Sequence, residues 1–409
     1  MLRVPTIALT TRHSPSLYPW QCATPLDVPG TLIGLDRLGD AAPFRFDPWE
    51  LYAAGVITSP NMLVLGQIGT GKSALVKTYL YRQSQLGRRI AVLDPKGEYG
   101  ALASIAGLDY IDLYPGGEHR LNPLDPPVGT TAEATARHRT SLLIALVTSG
   151  LGRDTTSEER AAIAAVAADL GEHAVMRDAV DGLLHPTPST TTQLAASADA
   201  IAEKVRPAAL ELRRLTDGDL AGMLDDQSTV ALGDCPAGVV VDVSSVFGTE
   251  AIGPVMTCVG SWLSRTSGTH DDKQIIVVDE AWALLGRVAT TRWLQATAKL
   301  ARSLGVQLVL VTHRLTDLTS QADAGSEAER QALGLLADTD VRVVHRQPIS
   351  ERDAAARLLG LTTAEAELST RLPAHRALWR FGRQVAVVDH ILADQAEELM
   401  VDTDDRMRS

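Results

Sequence analysis

The chain has 409 residues, 45% hydrophobic and 22% charged, enough for one large or two medium domains with a sizeable core. Its net charge of −12 excludes a surface coated for nucleic acid, though not a ring whose narrow pore alone is basic. Aromatic residues make up only 4%, which favours α/β architecture over a β-sandwich, and three scattered cysteines (Cys22, Cys235, Cys258) give neither a disulfide framework nor metal-ligand spacing, as suits a reducing compartment.

No apolar run approaches the ~18–20 residues of a membrane span, and Met1–Pro15 lacks the h-region and cleavage site of a signal peptide. The expectation is a cytoplasmic chain that meets a membrane only through partners.

Residues 1–46 are rich in Pro, Gly and Thr and read as an extended arm or short irregular strands, with Pro48–Val56 as a short helix. Met62–Leu65 is a β-run leading straight into GQIGTGKS at Gly66–Ser73, and Ala74–Gln85 follows with helical spacing. Arg89–Leu93 and Tyr110–Leu113 read as further strands, so 47–130 opens a βαβ series with a parallel sheet. Residues 131–228 turn Ala-rich with helical spacing, broken at Pro186 and Pro188, with Pro207 starting or kinking a further helix. This stretch is predicted to be an all-α subdomain inserted into the α/β core. The core resumes over 229–409: strands at Gly238–Val243, Gln274–Val278, Val306–Val311 and Val341–His345, helices at Ile252–Arg265 and Ala289–Leu304, a hairpin of Ala377–Phe381 with Gln384–Val388, and a terminal helix after Asp394.

The segment Gly66–Ser73 fits G-x-x-x-x-G-K-[ST] at every fixed position. Glycines let consecutive N–H groups turn inward around a triphosphate, so Gly66, Gln67, Ile68, Gly69, Thr70, Gly71, Lys72, Ser73 and Ala74 form the candidate nucleotide cradle. Lys72 is placed to reach the β- and γ-phosphates and Ser73 to ligate Mg²⁺, with the helix dipole facing the phosphates. The second nucleotide motif is Ile275–Val278 followed by Asp279 and Glu280. Asp279 is the candidate Mg²⁺ partner opposite Ser73, and Glu280 the candidate base for a lytic water. Thr312 and His313 end the following strand, where a polar sensor of the γ-phosphate or water would sit. DPKGEY at Asp94–Tyr99 lies at a strand end near the phosphate site, without an assigned role. Trp282, Trp293 and Trp379 read as core or interface anchors, and Arg206, Arg213 and Arg214 as a solvated helix face.

The ordered set GQIGTGKS, DPKGEY, LNPLD (Leu121–Asp125), VVDEAW (Val277–Trp282), VTHR (Val311–Arg314) and RALWR (Arg376–Arg380) resembles the motor domain of conjugative type IV secretion ATPases, within the HerA–FtsK superfamily of P-loop ring motors. The resemblance runs from about Pro43 to Asp402. It implies a RecA-like P-loop NTPase core with a mostly parallel sheet and an inserted all-α subdomain, ATP and Mg²⁺ as ligands, a homo-hexamer, secretion or conjugation apparatus proteins as partners, and DNA or protein as the moved substrate, with DNA in the ring pore. It also implies a cytoplasmic position at the inner face of a membrane. The superfamily often has Gln where this chain has His313. Secretion ATPases usually carry a large N-terminal docking domain, whereas here the phosphate loop begins at Gly66, so a stand-alone or reduced motor is expected. Ring motors complete the site with an arginine from the next subunit. Arg302 is the first choice, with Arg346, Arg314 and Arg342 as alternatives.

Three functions share these residues: a secretion-type motor, a soluble HerA/FtsK-like DNA translocase or helicase, and a non-motor nucleotide switch. The intact Lys72, Ser73, Asp279 and Glu280 weigh against the last, since a pure binder has no need of Glu280.

Overall fold

A computed structural model describes residues 29–402, save for 39–40, 127–128, 219, 232–234, 267–272, 286–290, 292–293, 296–297, 300–303 and 314–326. Among these residues eleven strands form one sheet: β1 Thr31–Asp36, β2 Ala42–Phe46, β3 Met62–Leu65, β4 Arg89–Asp94, β5 Asp109–Asp112, β6 Gly238–Asp242, β7 Gln274–Val278, β8 Val306–Thr312, β9 Val341–Val344, β10 Arg376–Phe381 and β11 Gln384–His390. Their spatial order is β2-β1-β11-β10-β9-β3-β8-β7-β4-β6-β5. The strands from β9 to β5 run parallel. Strands β10, β11, β1 and β2 add an antiparallel flank.

The central strands MLVL, QIIVV and VQLVLVT are buried along their whole length. Such uninterrupted apolar runs are what a parallel sheet covered on both faces requires. Alternate side chains feed two cores. Met62 and Val64 pack on the face covered by helices Lys72–Ser84, Gly100–Ala106 and Gln395–Val401, while Leu63 and Leu65 face helix Ile252–Leu263 and the helical insertion.

Strands β5 and β6 are parallel neighbours, and the crossover between them carries helices Ala132–Leu151, Ser157–Asp169, Met176–Leu184, Pro188–Leu194 and Ala198–Arg213. Thr131, Thr156, Thr187 and Ser197 cap four of these helices through their hydroxyls. Pro188 stands at a helix start, whereas Pro207 lies inside Ala198–Arg213. The LNPLD turn ties this insertion to the core. Asn122 donates to Asp125 (2.8 Å) and to the Ala174 carbonyl (2.9 Å), and Arg265 reaches Asp125 (2.9 Å).

Of the two readings for the N-terminal stretch, residues 31–46 take the strands: they form β1 and β2, with β2 at the sheet edge and β1 paired with β11 on its other side. Phe44 and Phe46 anchor them on Trp379 at 5.2 and 5.1 Å between ring centroids. Residues 1–28, including Cys22, lie outside the described residues, as do Trp293, Arg302, Arg314 and most of the predicted helix Ala289–Leu304. No helix among the described residues is long and apolar enough to cross a membrane.

Candidate active site

The sheet order brings the motifs together. Strand β8 lies between β3 and β7, and β4 lies beside β7. The phosphate loop, His313, the acidic pair and DPKGEY therefore emerge side by side at the C-terminal edge of the parallel strands, where open α/β sheets bind ligands.

The loop after β3 is built on glycines in the left-handed region: Gly66 (φ 157°), Gly69 (φ 74°) and Gly71 (φ 98°). At Gly66 a Cβ would meet His345 Cβ at 2.4 Å, so no larger residue fits there. Thr70 is fully buried and donates to the Gln67 carbonyl (2.7 Å), while Ile68 at the loop tip is 81% exposed. Helix Lys72–Ser84 starts directly after Gly71, and Ser73 and Ala74 stand half-buried in its first turn. Lys72 folds back onto its own loop, donating to the Gly66 carbonyl (2.5 Å) and the Gln67 carbonyl (3.0 Å). Burial lowers its ammonium to about 8, against the pull of Asp279 and Glu280.

His313 bridges Lys72 and Glu280. Its Nδ1 is 3.0 Å from Lys72 Nζ, and its Nε2 is 2.6 Å from Glu280 Oε1. An ammonium only donates, so Nδ1 accepts from Lys72, while Nε2 stands within hydrogen-bond distance of both Glu280 Oε1 and Lys96 Nζ. Lys96, from DPKGEY, forms an ion pair with the same Glu280 Oε1. The Trp282 indole N–H donates to Glu280 Oε2. Burial would raise the Glu280 carboxyl, but the hydrogen bonds from His313 and Lys96 hold it down at about 2. Its backbone is left-handed (φ 50°), a strained turn for a side chain of this size.

Asp279 is buried and accepts from Tyr99 O–H (3.0 Å) and the Glu280 N–H (2.8 Å). Burial, and then the neighbouring Glu280 carboxylate, push it up to about 6. The DPKGEY loop is fixed by Asp94, whose carboxylate accepts from the N–H groups of Lys96 (3.1 Å), Gly97 (2.9 Å) and Tyr99 (2.9 Å). Lys96 and Tyr99 are thus site residues that sequence reasoning left unassigned, and Trp282, read from the sequence as a core or interface anchor, joins them through its indole N–H. Thr312 Oγ1 is buried without a partner among the described residues, whereas His313 makes the polar contacts. Of the arginine candidates, Arg342 is committed within the chain to the Leu359 carbonyl (2.7 Å). Arg346 has an exposed side chain, and its carbonyl holds the Gln67 N–H (3.0 Å). Trp379 is core, and Arg213 and Arg214 pair on the surface with Asp217 and Glu211.

His345 lies under the loop with its Nδ1 3.1 Å from the Thr70 carbonyl. Burial, then the Lys72 charge, lower it to about 3. Unfolded histidine titrates near ~6.5, so below that pH the unfolded chain takes up a proton that the native site refuses. This histidine's contribution is intact above pH ~6.5 and is lost as pH falls toward 3. Asp279 acts with the opposite sign below about 6, equally in wild type and variant. Denaturant unfolding between pH 6 and 4.5 should therefore show a slope for His345→Gln lower than wild type by one proton, about 1.4 kcal/mol per pH unit. Equal slopes would mean that His345 is charged in the native state.

Residues 53–221 match the family model described as "Helicase HerA, central domain". No curated protein matches the chain. Among solved structures, VirB4 of Thermoanaerobacter pseudethanolicus is similar at 21% identity and TM-score 0.76, over 92% of this chain and 100% of that one. The plasmid coupling protein TrwB in complex with ADP and Mg²⁺ is similar at 19% identity and TM-score 0.58, over 82% of this chain and 86% of that one. An unbound form of the bacterial conjugative coupling protein TrwB is similar at 18% identity and TM-score 0.57. The family model and the folds support the resemblance carried by the motifs: the phosphate loop lies in a segment of HerA central-domain type, and the chain has the RecA-like α/β fold of VirB4 and TrwB, a mostly parallel sheet flanked by helices with an all-α insertion.

Proposed function

We propose that the chain is an ATP-hydrolysing motor of a conjugative or type IV secretion-like system. The observation that carries this reading is the continuous network Lys72–His313–Glu280, which links a phosphate-loop lysine to a carboxylate base through one imidazole. A non-motor switch would need the loop but not a base wired to it.

In this reading Gly66–Ala74 cradles the phosphates, Lys72 neutralises the β- and γ-phosphates, and Glu280 accepts the proton of the attacking water. His313 relays the presence of the γ-phosphate to Glu280. Magnesium fits the donor set: Ser73 stands half-buried in the first helical turn, and Asp279 is a buried carboxylate pushed up to about 6 by its burial and by the neighbouring Glu280 carboxylate, charge that a divalent cation would offset. When bound there with ATP, Mg²⁺ would supply charge neutralisation at the bridging phosphate oxygens. The assembly in this reading is a homo-hexamer in which an arginine of the neighbouring subunit, Arg302 or the exposed Arg346, reaches the γ-phosphate. Apparatus proteins would hold the ring at the inner face of a membrane, and the moved substrate would be DNA or protein.

The match of 53–221 to a HerA central domain favours a second reading, a soluble DNA translocase or helicase with the same active site. Steady-state ATP hydrolysis by the full chain, with and without DNA, separates the two. Low turnover indifferent to DNA, lost by roughly 10²–10³-fold in Lys72→Ala, supports the secretion motor waiting for its partners. Strong DNA stimulation with steep salt dependence moves the assignment to the translocase. Nucleotide turnover equal in wild type and Lys72→Ala overturns both.

A further inference from the structure

We propose that Lys96 is a second catalytic cation, which exchanges the Glu280 carboxylate for the terminal phosphate of ATP when nucleotide binds. The inference rests on the ATPase reading above and extends it to a residue that reading does not use.

Three observations carry it. First, Lys96 and Lys72 approach the same imidazole from opposite sides, with Lys96 Nζ 3.1 Å from His313 Nε2 and Lys72 Nζ 3.0 Å from His313 Nδ1. A γ-phosphate drawn to Lys72 therefore arrives within one side-chain length of Lys96. Second, the Lys96 backbone is held by the Asp94 carboxylate, so the side chain swings from a fixed base. The side chain is half-buried, with its ammonium 5.9 Å from the Phe247 ring. Third, both oxygens of Glu280 are engaged: Oε1 by Lys96 and His313, Oε2 by Trp282. In this arrangement Oε1, taken by two donors, presents no open position to a water, and Lys72 is closed onto the Gly66 and Gln67 carbonyls.

A γ-phosphate carries more negative charge than one carboxylate and competes for both ammonium groups. Its arrival draws Lys72 from the loop carbonyls and Lys96 from Oε1. The vacated position on Oε1 then takes the water. The water oxygen attacks the γ-phosphorus, its proton passes to Glu280, the bond from phosphorus to the bridging oxygen breaks, and ADP leaves with the electron pair. Lys96 stays on the equatorial oxygens, where charge is spread in the transition state. Without a γ-phosphate, as with ADP, Lys96 remains on Glu280.

The test uses the full chain with Mg²⁺ and compares wild type, Lys96→Met, Lys96→Arg and Lys72→Ala. Affinities for a non-hydrolysable ATP analogue and for ADP are measured beside kcat. Lys96→Met should weaken the ATP analogue about tenfold or more and leave ADP within about twofold, because only the triphosphate loses a charge-assisted contact. Its kcat should fall roughly a hundredfold. Lys96→Arg should restore part of the preference for ATP over ADP. Unchanged ADP affinity also shows that the variants are folded. An unaltered ATP-to-ADP affinity ratio in Lys96→Met overturns the proposal, and a raised kcat would make Lys96 only a restraint on Glu280. If Lys72→Ala binds both nucleotides like wild type, the ATPase reading itself fails and the proposal with it.

Discussion

Glu280→Gln should lower ATP turnover by about 10²–10⁴-fold and leave affinity for a non-hydrolysable ATP analogue within a few-fold of wild type. Glutamine matches the size of the side chain and still accepts from Trp282, so the strained turn at the end of β7 is kept. What it cannot do is take a proton. Glu280 makes no hydrogen bond to Lys72 or the phosphate loop, so the cradle itself is undisturbed. Oε1 of the Glu280 carboxylate is taken by both Lys96 and His313. Catalysis therefore requires that donors leave Glu280 once ATP is in place, and hydrolysis should be limited by that rearrangement and not by phosphate affinity. Rapid-mix measurement of nucleotide binding beside steady-state turnover checks this: binding of wild type and variant should coincide while turnover diverges. Turnover within twofold of wild type would place the base elsewhere and favour the nucleotide-switch reading.

The parts of the site that were legible in the sequence are those whose chemistry lies in consecutive residues. Gly66–Ser73 declares itself because loop geometry, lysine and hydroxyl all fall within one turn, and the strands β3, β7 and β8 declare themselves as unbroken apolar runs. Asp279 and Glu280 follow from standing at the end of such a run. The wiring between them was not legible. That His313 touches both Lys72 and Glu280 depends on β8 lying between β3 and β7, and that Lys96 and Tyr99 reach the acidic pair depends on β4 lying beside β7. Strand order is fixed by long-range packing, which no local pattern reports. The same holds for β1, whose partner is β11 at the other end of the chain, and whose Pro- and Gly-rich surroundings read as an extended arm or short irregular strands. LNPLD was visible as a motif but not as a joint, because the partners of Asn122 and Asp125 come from Ala174, Ser228 and Arg265.

Arg139→Ala should cost about 3 kcal/mol or more of unfolding free energy. Arg139 stands two residues after Arg137 on helix Ala132–Leu151, at helical spacing from Leu142, Leu143 and Leu146 on the apolar face. In the structure they differ completely. Arg137 pairs with Glu133 across one exposed turn, with side chains 66% and 82% exposed, and removing it should change stability by less than about 0.5 kcal/mol. Arg139 is buried, and its guanidinium donates to the carbonyls of Leu124 (2.7 Å), Leu170 (3.1 Å), Gly171 (2.9 Å) and Glu172 (3.2 Å). Those carbonyls belong to the LNPLD turn and to the end of helix Ser157–Asp169, where a cation also complements the helix dipole. Alanine leaves four acceptors without their donor and opens a void beside a cavity of about 560 Å³ lined by Thr135, Ala136 and Glu172. Water entering from that cavity can reach some of the acceptors, which keeps the cost below the sum of four lost hydrogen bonds. Lysine in place of Arg139 should recover little, because one ammonium cannot span carbonyls from two separate segments. Denaturant unfolding of Arg137→Ala, Arg139→Ala and Arg139→Lys decides the matter: similar midpoints for all three would mean that the guanidinium is not the joint between the helical insertion and the turn that carries it.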